Sequence, residues 1–276
     1  GRGRGRGRGT GMGKVKRTTG AVELQSLDPN TCLWHVMSST AKLETFLNGG
    51  LWFARLDQFG SPNYTLESAL PQSNLELLQS KLPGVQVPEV QQQYVLGIQR
   101  AYASCWHMNG DAPSDHAWTT FGGGNGVAVR TDAKTLQCQL ANITGPDGPV
   151  YIAPVKYIDH DADFIQDGNI IAAAFAIRDA FSHEQEVRAL IYTHGTSAND
   201  YLCGKKGPLG CLVAWTERQG VTELTGGHLD GRAIVAKINP DAFIREVMIQ
   251  PGAGRITRCR VACLLRRHGL QDRLRK

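Results

Sequence analysis

Eight short apolar runs with strand character are scattered between residues 33 and 250, and the segments between them follow no regular rhythm. They are Leu33–Met37, Leu51–Leu56, Tyr102–Met108, Val127–Thr131, Val155–Ile158, Glu186–Tyr192, Ile234–Ile238 and Glu246–Gln250. A doubly wound parallel sheet needs strand, helix and strand at near-constant spacing. Without it the pattern predicts an α+β fold, a single mixed or antiparallel sheet with flanking helices. Between the runs, Ser38-Ser39-Thr40 supplies N-cap hydroxyls for a helix that presents Leu43, Phe46 and Leu47 on one face and ends at Gly49-Gly50. Further helical stretches are read near Leu75–Leu82, Gln91–Arg100, His116–Phe121, Ile170–Phe181 and Arg255–His268, with a helical start at Pro240–Phe243. A hydrophobic content of 41% is enough for a core in a chain of 276 residues. The longest apolar stretch, Ile170–Ile177, has eight residues. A membrane-spanning helix needs about 18 or more, so none is expected.

Charge divides the chain. Residues 1–17 carry seven basic groups and no acid, and residues 255–276 carry eight basic groups and one acid. The net charge of +5 therefore leaves residues 18–254 at −9. An acidic body with basic ends is expected, and the ends can attract polyanions such as nucleic acid by a salt-sensitive effect. Residues 1–30 are read as a Gly/Arg-rich basic tail without a core, and residues 31–276 as one α+β domain ending in a basic amphipathic helix. The repeat Gly1–Gly13 resembles RNA-binding tails but interleaves no aromatic residues for base stacking. Translated upstream sequence or a fragment boundary is the favoured alternative, with Met12 a candidate start. No apolar secretory segment is read at the N-terminus. Seven scattered cysteines, an odd number with no CxxC pair, fit reduced thiols in a cytoplasmic protein and no structural zinc site.

Several segments carry candidate chemistry. Glu184-Gln185-Glu186 opens a strand, where residues two apart share a face, so two carboxylates would converge on one pocket. One could hold a ribose diol while the other orients a nucleophile. The alternative is a solvated strand edge with Arg188 completing an ion ladder. His35, on a strand ahead of a capped helix, is either a ribose ligand or a satisfied core histidine. Cys105 and His107 share a strand face, although a buried small residue is the favoured role for Cys105. Gly122–Gly126 precedes a strand and lacks a following Lys-Ser/Thr, so it is read as a hairpin turn and not a phosphate cradle. Asp159-His160-Asp161-Ala162-Asp163 lacks calcium-loop spacing and is read as a solvated loop. No metal site is expected.

The order of these segments carries a resemblance. Leu33-Trp34-His35 is followed by LWFARLDQF (51–59), SCWHM (104–108), Ala117-Trp118 with GVAVRT (126–131), VKYID (155–159), HEQEVRAL (183–190), a closing strand, Pro251 and a basic helix. The series resembles the bacterial and phage family called domain of unknown function 2971, from about Thr31 onward. The layout of that family is similar to the ADP-ribosyltransferase fold. The resemblance implies that NAD is the substrate, with Glu186 on its nicotinamide ribose, Glu184 positioning the acceptor and His35 on a ribose hydroxyl. It places Arg55 in the same cofactor site and implies that Trp52, Phe53 or Trp106 stacks on nicotinamide. The chain departs from the family pattern at Val36-Met37, at Gly60–Asn63 and at Pro113. The implied activity is that of an ADP-ribosyltransferase or NAD glycohydrolase, in a toxin, effector or phage-defence setting, with a nucleic-acid or protein acceptor. The alternatives are a non-enzymatic nucleic-acid- or partner-binding module, resting on the basic ends, and a degenerate virion-associated member.

Overall fold

The computed structural model describes residues 27–59, 71–81, 84, 86–108, 110–141, 144–145, 148–165, 170–192, 221–224 and 233–275. The strands are β1 (Cys32–Met37), β2 (Gly50–Arg55), β3 (Ala101–His107), β4 (Val127–Asp132), β5 (Thr144–Gly145), β6 (Gly148–Pro149), β7 (Tyr151–Pro154), β8 (Lys156–Ile158), β9 (Ala176–Arg178), β10 (Glu186–Tyr192), β11 (Val221–Leu224), β12 (Ala233–Lys237) and β13 (Glu246–Ile249). Nine of them form one sheet in which every pairing is antiparallel. The order β11-β12-β2-β3-β1-β4-β13 runs across it, and β10 joins β3 to β7. β5 and β6 form a two-residue ladder, and β8 and β9 pair in parallel. This is the expected α+β class, a mostly antiparallel sheet flanked by helices.

Both faces of the sheet are covered. On one face Leu33, Met37, Phe53, Tyr102, Trp106, Val187 and Ala189 pack beneath helices Thr40–Leu47, Ala133–Leu140 and Arg255–Arg267. On the other, Ala101, Ala103 and Leu190 meet Tyr94 and Ile98 of helix Val87–Ile98 and the apolar segment Ala172–Ala176. The first helix follows its sequence signals. The Ser39 hydroxyl accepts from the Lys42 N–H at 3.4 Å, and Leu43, Phe46 and Leu47 are buried. Gly49 has φ +90° and sends its N–H back to the Phe46 carbonyl, a conformation that only glycine adopts without strain. The globular part also begins earlier than residue 31, because Leu27 is buried in the main core. The tail reading for residues 1–26 lies outside the described residues.

Two segments differ from the sequence reading. Ile170–Phe181 was expected to be helical throughout, but the helix ends at Ala174, and Ala176–Arg178 forms β9 against β8. Alanine is a strong helix former, but propensity is a weak guide against tertiary context, and here strand pairing with β8 and burial of Ala176 and Ile177 outweigh it. Residues 133–140, for which the apolar pattern predicts no element, form a helix. It starts directly from β4: the Asp132 carboxylate caps the Thr135 N–H at 2.7 Å, and Leu136 and Leu140 are buried. Among the described residues no helix is long and apolar enough to cross a membrane.

Candidate functional site

The sheet forks at β3. Along one edge β3 pairs with β10 over its whole length. Along the other it pairs with β2 at Tyr102 and Ala103, and with β1 only at His107. β1 and β2 diverge between these registers, and neither pairs with Ser104, Cys105 or Trp106. A cavity of about 370 Å³ opens in the gap. Its walls come from β1 (His35, Val36, Met37), from the first helix (Lys42, Thr45, Phe46), from β2 (Trp52, Ala54) with Phe59, and from β3 (Ala103 to Cys105, His107) with Phe121. The lining is mainly apolar and aromatic with a few polar groups, and its size lies within the range of small-molecule sites.

His35 spans the fork. Its Nδ1 lies 2.8 Å from the Cys105 carbonyl. A carbonyl only accepts, so Nδ1 carries the proton and Nε2 is left as an acceptor. The ring stacks on Phe46 and leans on Trp106, with centroids 6.5 and 5.0 Å away. Part of its surface stays exposed, yet its surroundings are those of a buried group. Burial lowers its pKa from 6.5 to about 4, and His107 and Lys42 add to this against the opposing carbonyl bond. The imidazole is therefore neutral at neutral pH. Ser104 is buried, and among the described residues its Oγ has no hydrogen-bond partner. Lys42 is exposed on the lining helix.

The other sequence candidates are distributed unevenly around this cavity. Of the three aromatics only Trp52 lines it; Phe53 and Trp106 are fully buried in the main core. Arg55 is turned to Asp57 in a two-point ion pair at 2.7 and 2.9 Å and does not line the cavity. Glu186 and Glu184 also stay outside the lining. Glu186 opens β10 opposite His107, buried, and is gripped by Arg188 through two hydrogen bonds of 2.7 and 3.1 Å. Burial raises its pKa, but the Arg188 charge and hydrogen bonds overcome this and hold it below the ordinary carboxylate range. It also accepts a hydrogen bond from the Cys105 thiol. Cys105 is thus tied to Glu186, while His107 sends Nδ1–H to the Glu184 carbonyl at 3.0 Å.

The strand-face argument for the two carboxylates does not hold. β10 begins at Glu186, and Glu184 ends a 3₁₀ turn that runs from Asp179. Between them Gln185 has φ 44° and ψ 52°, the left-handed region, which breaks the alternation of faces. Gln185 is the one non-glycine residue with positive φ among the described residues. Glu184 lies instead beside His116 and His183. The His116 Nε2 is 3.0 Å from the His183 Nε2 and 3.8 Å from Glu184 Oε1. Burial, then the neighbouring His183, lowers the His116 pKa.

Other segments behave as follows. Asp159, Asp161 and Asp163 are exposed, and carboxylates of Asp159 and Asp163 bond to backbone N–H groups of their own loop. Gly122–Gly126 joins a short helical segment to β4, not two strands of a hairpin. Cys259 and Cys263 are exposed on the C-terminal helix. Sequence reasoning did not single out Lys42, Thr45, Phe59, Ser104 or Phe121. Only the divergence of β1 from β2 brings them together. Set against known protein families, curated proteins and solved structures, the chain matches none of them.

Proposed function

We propose that the fork cavity binds a nucleotide of the NAD class and that the chain breaks its nicotinamide–ribose bond, as an ADP-ribosyltransferase or NAD glycohydrolase. The resemblance to domain of unknown function 2971 and an ADP-ribosyltransferase-like layout belong to this proposal. The observation that carries it is the forked sheet with a neutral histidine across the opening. Trp52, Phe59 and Phe121 offer faces to a planar ring. The His35 Nε2 accepts from a ribose hydroxyl, and Lys42 attracts phosphate. Nicotinamide leaves NAD as a neutral ring, so cleavage needs stabilisation of the developing ribosyl cation more than a general acid. In this reading Glu186 is a positioning residue. It fixes the Cys105 thiol and lies opposite His107, both of which line the cavity, and it does not itself touch the ribose.

The test is calorimetric titration with NAD, together with assays of nicotinamide release and of label transfer to protein and nucleic acid. His35→Ala is expected to weaken binding about tenfold, the worth of one hydrogen bond of roughly 1.4 kcal/mol. Absence of release and of transfer, with Glu186→Gln indistinguishable from wild type, refutes the enzyme reading. The basic C-terminal segment gives less support to a nucleic-acid-binding module, and the N-terminal one lies outside the described residues. Arg260 and Arg267 pair with Glu44, Arg275 pairs with Glu246, and Arg258 bonds the Ala253 carbonyl.

A further inference from the structure

We propose that His116, His183 and Glu184 form a binding site for a divalent transition metal of the zinc class, beside the fork cavity. The inference does not depend on the nucleotide reading. One donor atom from each residue, the two Nε2 atoms and a Glu184 carboxylate oxygen, lies within 4.8 Å of the others. A tetrahedral zinc ion with bonds of about 2.0–2.2 Å sets neighbouring donors roughly 3.3–3.5 Å apart. The observed 3.0 Å between the imidazoles and 3.8 Å from His116 to Glu184 straddle that spacing. The rings meet edge to face, at 87° with centroids 4.2 Å apart, so their nitrogens converge instead of stacking. Both histidines are exposed and can shift by the fraction of an ångström that closure requires.

The third donor is held more firmly. The Glu184 side chain is only 6% exposed. Its carbonyl is engaged by the His107 Nδ1, and the left-handed Gln185 fixes where the turn ends. Gln185 thus holds a backbone region that non-glycine residues rarely occupy. Thr120 Oγ1, 3.2 Å from the His116 Nε2, adds a polar neighbour. Two imidazoles and one carboxylate form the donor set of an open zinc site, with a fourth position left for water or a ligand. Imidazole selects against magnesium and calcium. His107 links the site to the cavity, since its ring lines the cavity while its Nδ1 bonds the Glu184 backbone.

The experiment is titration of the chelator-treated full chain with Zn²⁺ by calorimetry and with Co²⁺ by visible absorption. One ion per chain is expected, with four- or five-coordinate Co²⁺ bands and no thiolate charge-transfer band. His116→Gln and His183→Gln, at exposed positions, should each weaken binding by at least about 10–100-fold, the range that loss of an outer-sphere partner already reaches. Circular dichroism checks that both remain folded, so the test does not rely on a substitution at buried Glu184. Three results would overturn the proposal: no stoichiometric binding, binding untouched in the double histidine variant, or a thiolate band that places the metal on cysteine. Because metal binding itself is read out, an absence of NAD turnover leaves the outcome unaffected.

Discussion

His35 offers the sharpest test of the fork, because its protonation is coupled to the stability of the fold. The free imidazole titrates at 6.5 and the folded one at about 4. On acidification the unfolded chain takes up this proton first, so the folded state loses stability as pH falls from about 6.5 to about 4. Above that window the contribution is complete, and below it the loss is constant. The full difference corresponds to an upper limit of about 3 kcal/mol. At pH 5 nearly every unfolded molecule holds the proton against about one folded molecule in ten, so wild type should be about 2 kcal/mol less stable than at pH 8 from this residue alone. His116 and His160 are lowered as well, both first by burial, and steepen the wild-type curve. The comparison is therefore with His35→Gln, whose amide can still donate to the Cys105 carbonyl but does not titrate. Urea denaturation of both proteins from pH 8 to pH 5 gives the difference curve, and an NMR titration of the imidazole gives its midpoint directly. Parallel curves, or a midpoint near 6.5, would refute the placement of a neutral, desolvated histidine across the fork.

Substitutions at five further positions probe the surroundings. Ser104→Ala removes a buried hydroxyl that has no partner among the described residues, so it should be neutral or stabilising by up to about 1 kcal/mol in urea melts while weakening any ligand that uses the hydroxyl. A loss above 1 kcal/mol would mean that the hydroxyl is satisfied. Arg188→Met leaves Glu186 as an uncompensated buried carboxylate and should cost about 3–5 kcal/mol. Adding Glu186→Gln should recover part of that cost, as a double-mutant cycle would show. Gly126→Ala places a Cβ 2.5 Å from the Gly122 Cα and should cost about 1–3 kcal/mol through backbone overlap. Gly252→Ala, at φ +82° with open space around it, should cost only the conformational strain of about 1 kcal/mol. Equal melting temperatures for these two variants would contradict the close approach at Gly126.

What could be read from the sequence divides along a physical line. Glu186–Tyr192 and the helix after Ser39 were legible because their signals are local: a dense β-branched and apolar run, and a capping hydroxyl three residues before the N–H it accepts from. The helix 133–140 was not, since its cap Asp132 is also the last residue of a strand, and its eight positions interleave apolar Ala133, Leu136, Cys138 and Leu140 with polar residues in a stretch too short to stand out. The candidate site is less legible still. Its polar groups come together only through tertiary events that no spacing encodes. His35 was found as a residue, but its acceptor nitrogen exists because β1 leaves β3 after a single register pair, so that the Cys105 carbonyl takes the other ring nitrogen. Glu184 and Glu186 were found as a pair, but one left-handed residue between them sends the first to two histidines and leaves the second to Arg188. His116 lies 67 residues from His183, so their contact belongs to the fold alone. Motif spacing assumes an uninterrupted element. Here the candidate groups gather at the two places where elements are interrupted, the divergence of β1 from β2 and the turn at Gln185, and substitutions at those interruptions should alter the proposed ligand and metal binding before they alter the sheet.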